Sequence, residues 1–152
     1  MSQRIRQKMR RNAFYLFASL FALISTHGSA GAGVSAGYAA DFIKASWTNA
    51  VVLRYDHRKT RLGAQAMYWD GPFNSNSSLS IDYDVLPSEK WDLNLGGAYL
   101  SKISEVNGTH FNFSLGAGVN LGERFRVQFT HLSNAHDNHN MGWNFLAFLV
   151  RF

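Results

Sequence analysis

The stretch Thr109-His-Phe-Asn-Phe-Ser-Leu-Gly-Ala-Gly-Val-Asn120 alternates strictly between two kinds of side chain. Phe111, Phe113, Leu115, Ala117 and Val119 fall on one face, and His110, Asn112, Ser114, Gly116 and Gly118 on the other. Successive side chains point to opposite sides in an extended strand, so this period of two predicts a strand with one apolar flank. The pattern continues in both directions. Phe125, Val127 and Phe129 alternate with Arg124, Arg126, Gln128 and Thr130, and a final run sets Leu146, Phe148, Val150 and Phe152 against Trp143, Phe145, Ala147, Leu149 and Arg151. Upstream, Leu79, Ile81, Tyr83 and Val85 oppose Ser78, Ser80, Asp82 and Asp84. Trp91, Leu93, Leu95 and Tyr99 oppose Asp92, Asn94, Gly96 and Ala98. Val51, Leu53 and Tyr55 oppose Arg54 and Asp56, while Leu62, Ala64, Ala66 and Tyr68 oppose Arg61, Gly63 and Gln65. The segment around Val34, Ala36 and Tyr38 is the weakest of the set, because glycine and alanine blur its two faces.

Turn-forming residues separate these runs: Asp56 to Thr60, Asp70-Gly71-Pro72, Pro87-Ser88, Asn107-Gly108, Leu121-Gly122 and Asn134 to Gly142. Both prolines lie in these breaks, where a missing N–H disturbs no ladder. The expectation is all-β: eight antiparallel strands of about ten residues each, a length that crosses a bilayer when tilted.

The 152 residues contain no cysteine, which excludes structural disulfides and thiolate metal sites. Fifteen Lys and Arg against 10 Asp and Glu would suggest a nucleic-acid binder until the charges are located. Arg4, Arg6, Lys8, Arg10 and Arg11 crowd the start of the chain, and residues 31–152 carry equal numbers of basic and acidic groups. That balance leaves no footprint for nucleic acid. The basic segment runs into an apolar stretch from Ala13 to Ile24 and then into Gly28-Ser29-Ala30, the layout of a secretory signal peptide. The apolar stretch falls short of the roughly 20 residues a spanning helix needs. Residues 1–30 are therefore expected to be a cleavable signal peptide, with a second cleavage position near Ala40, and residues 31–152 the barrel.

Period two does not say which face is outside. Lipocalin-type barrels turn the apolar face inward, and membrane barrels turn it outward. Arg54, Asp56, Arg61, Asp82, Asp84, Asp92, Arg124, Arg126 and Arg151 share the polar face in near-balanced number, as pairing across a narrow lumen requires. Gly63, Gly96, Gly116 and Gly118 share it too and make room for them. Phe152 ends the chain in phase with the apolar face and resembles the C-terminal signature of bacterial outer-membrane barrels. The expected fold is an eight-stranded antiparallel transmembrane β-barrel, with a soluble ligand-carrying barrel as the rival.

Following Phe125, Val127 and Phe129, the apolar phase continues into His131 and Ser133. An imidazole and a hydroxyl facing hydrocarbon are costly without partners. Residues i and i+2 share a strand face about 7 Å apart, and an adjacent base is what turns a serine hydroxyl into a nucleophile. Interfacial residues hydrogen-bonded to headgroups are the plainer alternative.

The run Phe129-Thr-His-Leu-Ser-Asn-Ala135, with Asn140-Met-Gly-Trp-Asn144 after it and the chain end one strand later, resembles the lipid A 3-O-deacylase (PagL-type) family of outer-membrane barrels. The likeness covers residues 31–152 in layout, with motif identity confined to about residues 129–152. It implies hydrolysis of the ester-linked 3-acyl chain of lipid A, within lipopolysaccharide, in the bacterial outer membrane and without cofactor or metal. By that likeness Ser133 is the nucleophile, His131 its base and Asn134 an oxyanion-hole contributor. Placed at the outer end of the seventh strand, the site would have Phe129, Phe125 and Trp143 to flank the acyl chain. Two departures stand out. His136 replaces the glycine usual after the alanine, and Asn144 stands where the family carries a glutamate. Asn144 can orient an imidazole but cannot stabilise imidazolium by charge, which implies reduced activity or a catalytically impaired homologue. A non-enzymatic barrel of the structural or adhesion type is the alternative. Asp137 is the nearest acid in sequence. His136-Asp-Asn-His139 makes a weak metal motif and is read as a hydrated loop, and Lys44 and Lys102 are candidate phosphate contacts or rim charges.

Overall fold

The computed structural model describes residues 32–43, 48–71, 75–134 and 142–152. The expected signal peptide, Lys44, Pro72 and the segment Ala135 to Met141, with His136, Asp137 and His139, lie outside the described residues.

Eight strands form: β1 (Ala32–Asp41), β2 (Asn49–His57), β3 (Leu62–Asp70), β4 (Asn76–Asp84), β5 (Trp91–Leu100), β6 (Phe111–Leu121), β7 (Phe125–Ser133) and β8 (Trp143–Arg151). Each pairs antiparallel with its sequence neighbours, and β1 pairs with β8 from Ser35↔Arg151 to Asp41↔Phe145, so the sheet is a closed barrel. The blurred first run is thus a full strand that closes the ring. Closure leaves no open sheet edge.

The apolar flank faces outward. Tyr38, Val51, Leu79, Ile81, Leu95, Phe111, Val119, Phe125, Leu146 and Phe148 are all exposed on the outer wall. This is the reverse of the arrangement in a soluble ligand-carrying barrel.

The lumen has two layers. At the end where β7 finishes, Trp69, Trp143 and Phe145 are fully buried, with ring centroids 5.2–5.9 Å apart. Met67, Leu100, Leu132 and Leu149 complete this apolar layer. β8 alternates poorly because both its faces are apolar, one meeting this core and the other the outer wall. Toward the opposite end the lumen is polar. Arg54 makes a bidentate pair with Asp82 at 2.9 and 3.0 Å and donates from Nε to Asp56 at 2.8 Å. Arg126 holds both oxygens of Asp92, one at 2.6 Å, and Gln128 bridges to Gln65 at 2.6 Å. Arg61 and Arg124, expected in this lumen, instead lie exposed in turns.

Two glycines make the arginines fit. A Cβ at Gly118 would stand 2.0 Å from Arg126 Nη2, and one at Gly63 would stand 2.6 Å from Arg54 Nη2. Gly116 has ordinary room around it.

Gly118→Val therefore displaces the Arg126 guanidinium and leaves Asp92 without its cation, with Asn94 as its remaining side-chain donor, at an expected cost of about 3 kcal/mol. Gly97→Ala, where a Cβ meets nothing closer than 4.0 Å, is expected to change stability by less than about 0.5 kcal/mol. Equilibrium unfolding in urea checks both, and equal midpoints for the two variants would refute the packing argument.

Candidate active site

β7 delivers Phe125, Val127, Phe129, His131 and Ser133 to one face, and the strand ends at Ser133. Register then supplies the neighbours. His131 lies opposite Asn144 of β8 on one side and Leu115 of β6 on the other, and Ser133 lies opposite Phe113. Ser133 and Asn144 are each 4% exposed, while His131 is half-buried.

His131 Nδ1 is 2.8 Å from Asn144 Oδ1. An amide oxygen only accepts, so Nδ1 carries the hydrogen and donates it. The amide orientation is consistent with a second bond, from Asn144 Nδ2 to the Gly142 carbonyl at 3.4 Å. This tautomer leaves Nε2 with its lone pair available to accept a proton, the state a general base requires.

Gly142 packs closely against the Leu132 carbonyl, His131 and Ser133. A Cβ built there would stand 2.8 Å from His131 Cε1 and 2.9 Å from Ser133 Cβ. Both atoms flank one point, which puts them within about 6 Å of each other, close enough for side-chain rotation to join hydroxyl and imidazole. Gly142 also has φ +62°, a conformation that side-chain-bearing residues rarely adopt.

Aromatic rings surround the polar group. Phe113 lies 5.6 Å from the His131 ring, and Phe42, just past β1, meets Phe129 edge-on at 5.9 Å. Phe129 is on the outer wall beside Leu146 and Ala117. Asn134 follows Ser133 directly and is half-buried.

Trp143 requires a correction. It was expected beside the acyl chain, but it points into the barrel, fully buried 5.3 Å from Trp69 across the lumen. Its phase with Phe145, opposite Phe152, already carried that information. Lys102 is exposed and donates to the Ser75 carbonyl at 2.7 Å and to Ser75 Oγ at 3.1 Å. Among the described residues no cluster of three or more His, Asp or Glu side chains is arranged to hold a metal ion.

Asp41 and Phe42 were missed. Asp41, 4% exposed, accepts the Asn144 backbone N–H at 3.3 Å through Oδ2. Only the register between β1 and β8 reveals this, because the two residues are 103 positions apart.

A cavity of about 670 Å³ opens at the far end of the lumen, bordered by Arg54, Asp92, Arg126 and Arg151. No member of the His131 group borders it. The grouping on the outer wall follows chemical convergence rather than concavity.

The chain is matched by no known protein family, by no curated protein and by no solved structure.

Gly142→Ala is expected to push the His131 ring aside and to destabilise the barrel by about 1–3 kcal/mol. Imidazole nitrogen resonances and a urea titration check the two effects. Unchanged resonances would show that Gly142 does not hold the ring.

Proposed function

We propose that the protein is a bacterial outer-membrane esterase that removes the ester-linked 3-acyl chain from lipid A of lipopolysaccharide, using Ser133 and His131 on the outer barrel wall. The observation that carries the reading is the 2.8 Å His131–Asn144 bond on the same outward face as Ser133. An oriented imidazole beside a hydroxyl is the minimum needed to make serine a nucleophile.

Orientation in the membrane supports the substrate. Segments 42–48, 71–75, 101–110 and 134–142 connect strands at the site's end, and 58–61, 85–90 and 122–124, shorter on average, connect them at the other. Short periplasmic turns and longer external loops are the pattern of outer-membrane barrels. The site then opens at the outer leaflet, where lipid A acyl esters meet the headgroup boundary. Strands of nine to eleven residues match the hydrocarbon thickness.

The chemistry runs in two steps. His131 Nε2 takes the Ser133 proton as Oγ attacks the ester carbonyl carbon, and the resulting oxyanion is met by donors at Asn134. Collapse expels the sugar 3-oxygen, which receives the proton from His131, leaving the acyl group on Ser133. Water, deprotonated by the same imidazole, then releases the fatty acid. Phe129 and Phe42 flank the departing chain. Asn144 holds the ring throughout but supplies no charge to the imidazolium, so turnover is slower than a carboxylate in its place would allow.

Lipid A from cells expressing the wild type is expected to lose one ester-linked acyl chain by mass spectrometry, and cells expressing Ser133→Ala are expected to retain it. Unchanged lipid A with the wild type rejects the deacylase reading and favours the non-enzymatic barrel that Asn144 also suits. Asn144→Asp, the same length with a charge added, is expected to raise turnover about tenfold. An unchanged rate would remove Asn144 from the reaction.

A further inference from the structure

We propose that Asp41, the last residue of β1, is a positioning residue whose carboxylate, inside the barrel, fixes Asn144 and through it the His131 ring outside. This rests on the esterase reading above and names a residue that reading does not use.

β1 leaves the sheet after Asp41. At every second pair of an antiparallel ladder, the N–H and C=O of one residue both bond to the residue opposite. Asn144 turns both groups toward β1. Its C=O accepts from Phe42 N at 3.3 Å, while its N–H is met by Asp41 Oδ2 at 3.3 Å. A side-chain carboxylate thus serves where the departing strand would otherwise supply a carbonyl.

Asp41 is itself fixed. Its N–H donates to the Thr48 carbonyl at 2.9 Å, and its Oδ1 accepts from Ile43 N at 3.1 Å. Its side chain is 4% exposed, aligned with buried Phe145 on the lumen side. One carboxylate therefore ties the start of the β1–β2 connection to the start of β8.

Asn144 projects its amide to the opposite face, where Oδ1 receives the His131 Nδ1–H. At 4% exposure of Asn144, solvent is a poor substitute for a lost N–H acceptor. Removing the carboxylate lets the first residues of β8 shift, and the amide shifts with them. Displacements of about 1 Å at a catalytic array cost up to a hundredfold in rate. Asp41 touches neither substrate nor the reacting atoms, so the effect belongs in kcat rather than in substrate affinity.

The test measures turnover on lipid A by the full-length protein refolded in detergent, together with the imidazole nitrogen resonances of His131. Asp41→Ala is expected to lower kcat by about tenfold or more with KM within about twofold, and to shift the His131 signals. Asp41→Asn keeps one acceptor oxygen, enough for the Asn144 N–H but not for the Ile43 N–H as well, and is expected to lose less kcat than Asp41→Ala, with a smaller shift of the His131 signals. Where Asp41→Ala does not refold, Asp41→Glu, with its oxygens displaced by one methylene, takes its place with the same expectation. Wild-type kcat and unmoved His131 signals in the Ala or Glu variant overturn the proposal, as does an Asn variant impaired as badly as Ala. A wild type without turnover rejects the esterase reading alone, and the His131 signals then decide the positioning role by themselves.

Discussion

A closed ladder pairs the backbone of every strand with its neighbours, and the two-residue period then decides where each side chain goes. In this chain the period sends ten or more large apolar groups outward and two buried arginines inward. Ionic groups taken out of water need partners that repay the lost hydration. Arg54 finds Asp82 and Asp56, and Arg126 finds Asp92, because Gly63 and Gly118 leave the guanidinium groups space. The outer wall is left largely apolar, its polar side chains confined to strand ends such as Asn49, Asp70 and Ser77 and to the group at the end of β7.

That polar group is intelligible in the same terms. An imidazole on an apolar wall is expensive by itself, and Asn144 offsets the cost with a hydrogen bond across the β7–β8 pair. Behind it, Trp143 and Leu132 fill the lumen side of the same strands. The strand ends that carry His131 and Asn144 are thus backed by packed aromatic and aliphatic side chains instead of an open channel. Such backing holds side chains to a narrow range of positions, which chemistry at a fixed distance demands.

The strands were legible because alternation is local. Phe111 to Val119 announce a strand without reference to anything else, and Phe125 to Ser133 place the imidazole and hydroxyl on the apolar phase. Register is not local. Nothing in the sequence states that Asn144 lies opposite His131 or that Asp41 reaches Asn144; both facts come from how β7, β8 and β1 slide into alignment. The short motif from Phe129 to Asn144 had singled out Asn144, whereas Asp41 sat at the end of the least distinct strand and attracted no notice. Trp143 was misplaced for a different reason. Its identity suggested a fatty-acid contact, while its phase with Phe145 pointed to the interior, and phase was the better guide. The aromatic layer in the lumen was obscured for the same reason, since a strand that is apolar on both faces shows no alternation.

Which solvent touches the outer wall decides whether His131 and Ser133 can meet a membrane lipid at all. The chain has no cysteine, so single nitroxide labels can be placed at Leu79, Ile81 and Phe148, all on the exposed apolar face, and at Arg58 in a turn. In protein reconstituted into bilayers, lipid contact predicts that the three outer-wall labels relax strongly with oxygen and weakly with a water-soluble nickel chelate, with Arg58 showing the reverse. Nickel accessibility at Leu79, Ile81 and Phe148 equal to that at Arg58 would place the wall in water and contradict the membrane esterase at its foundation.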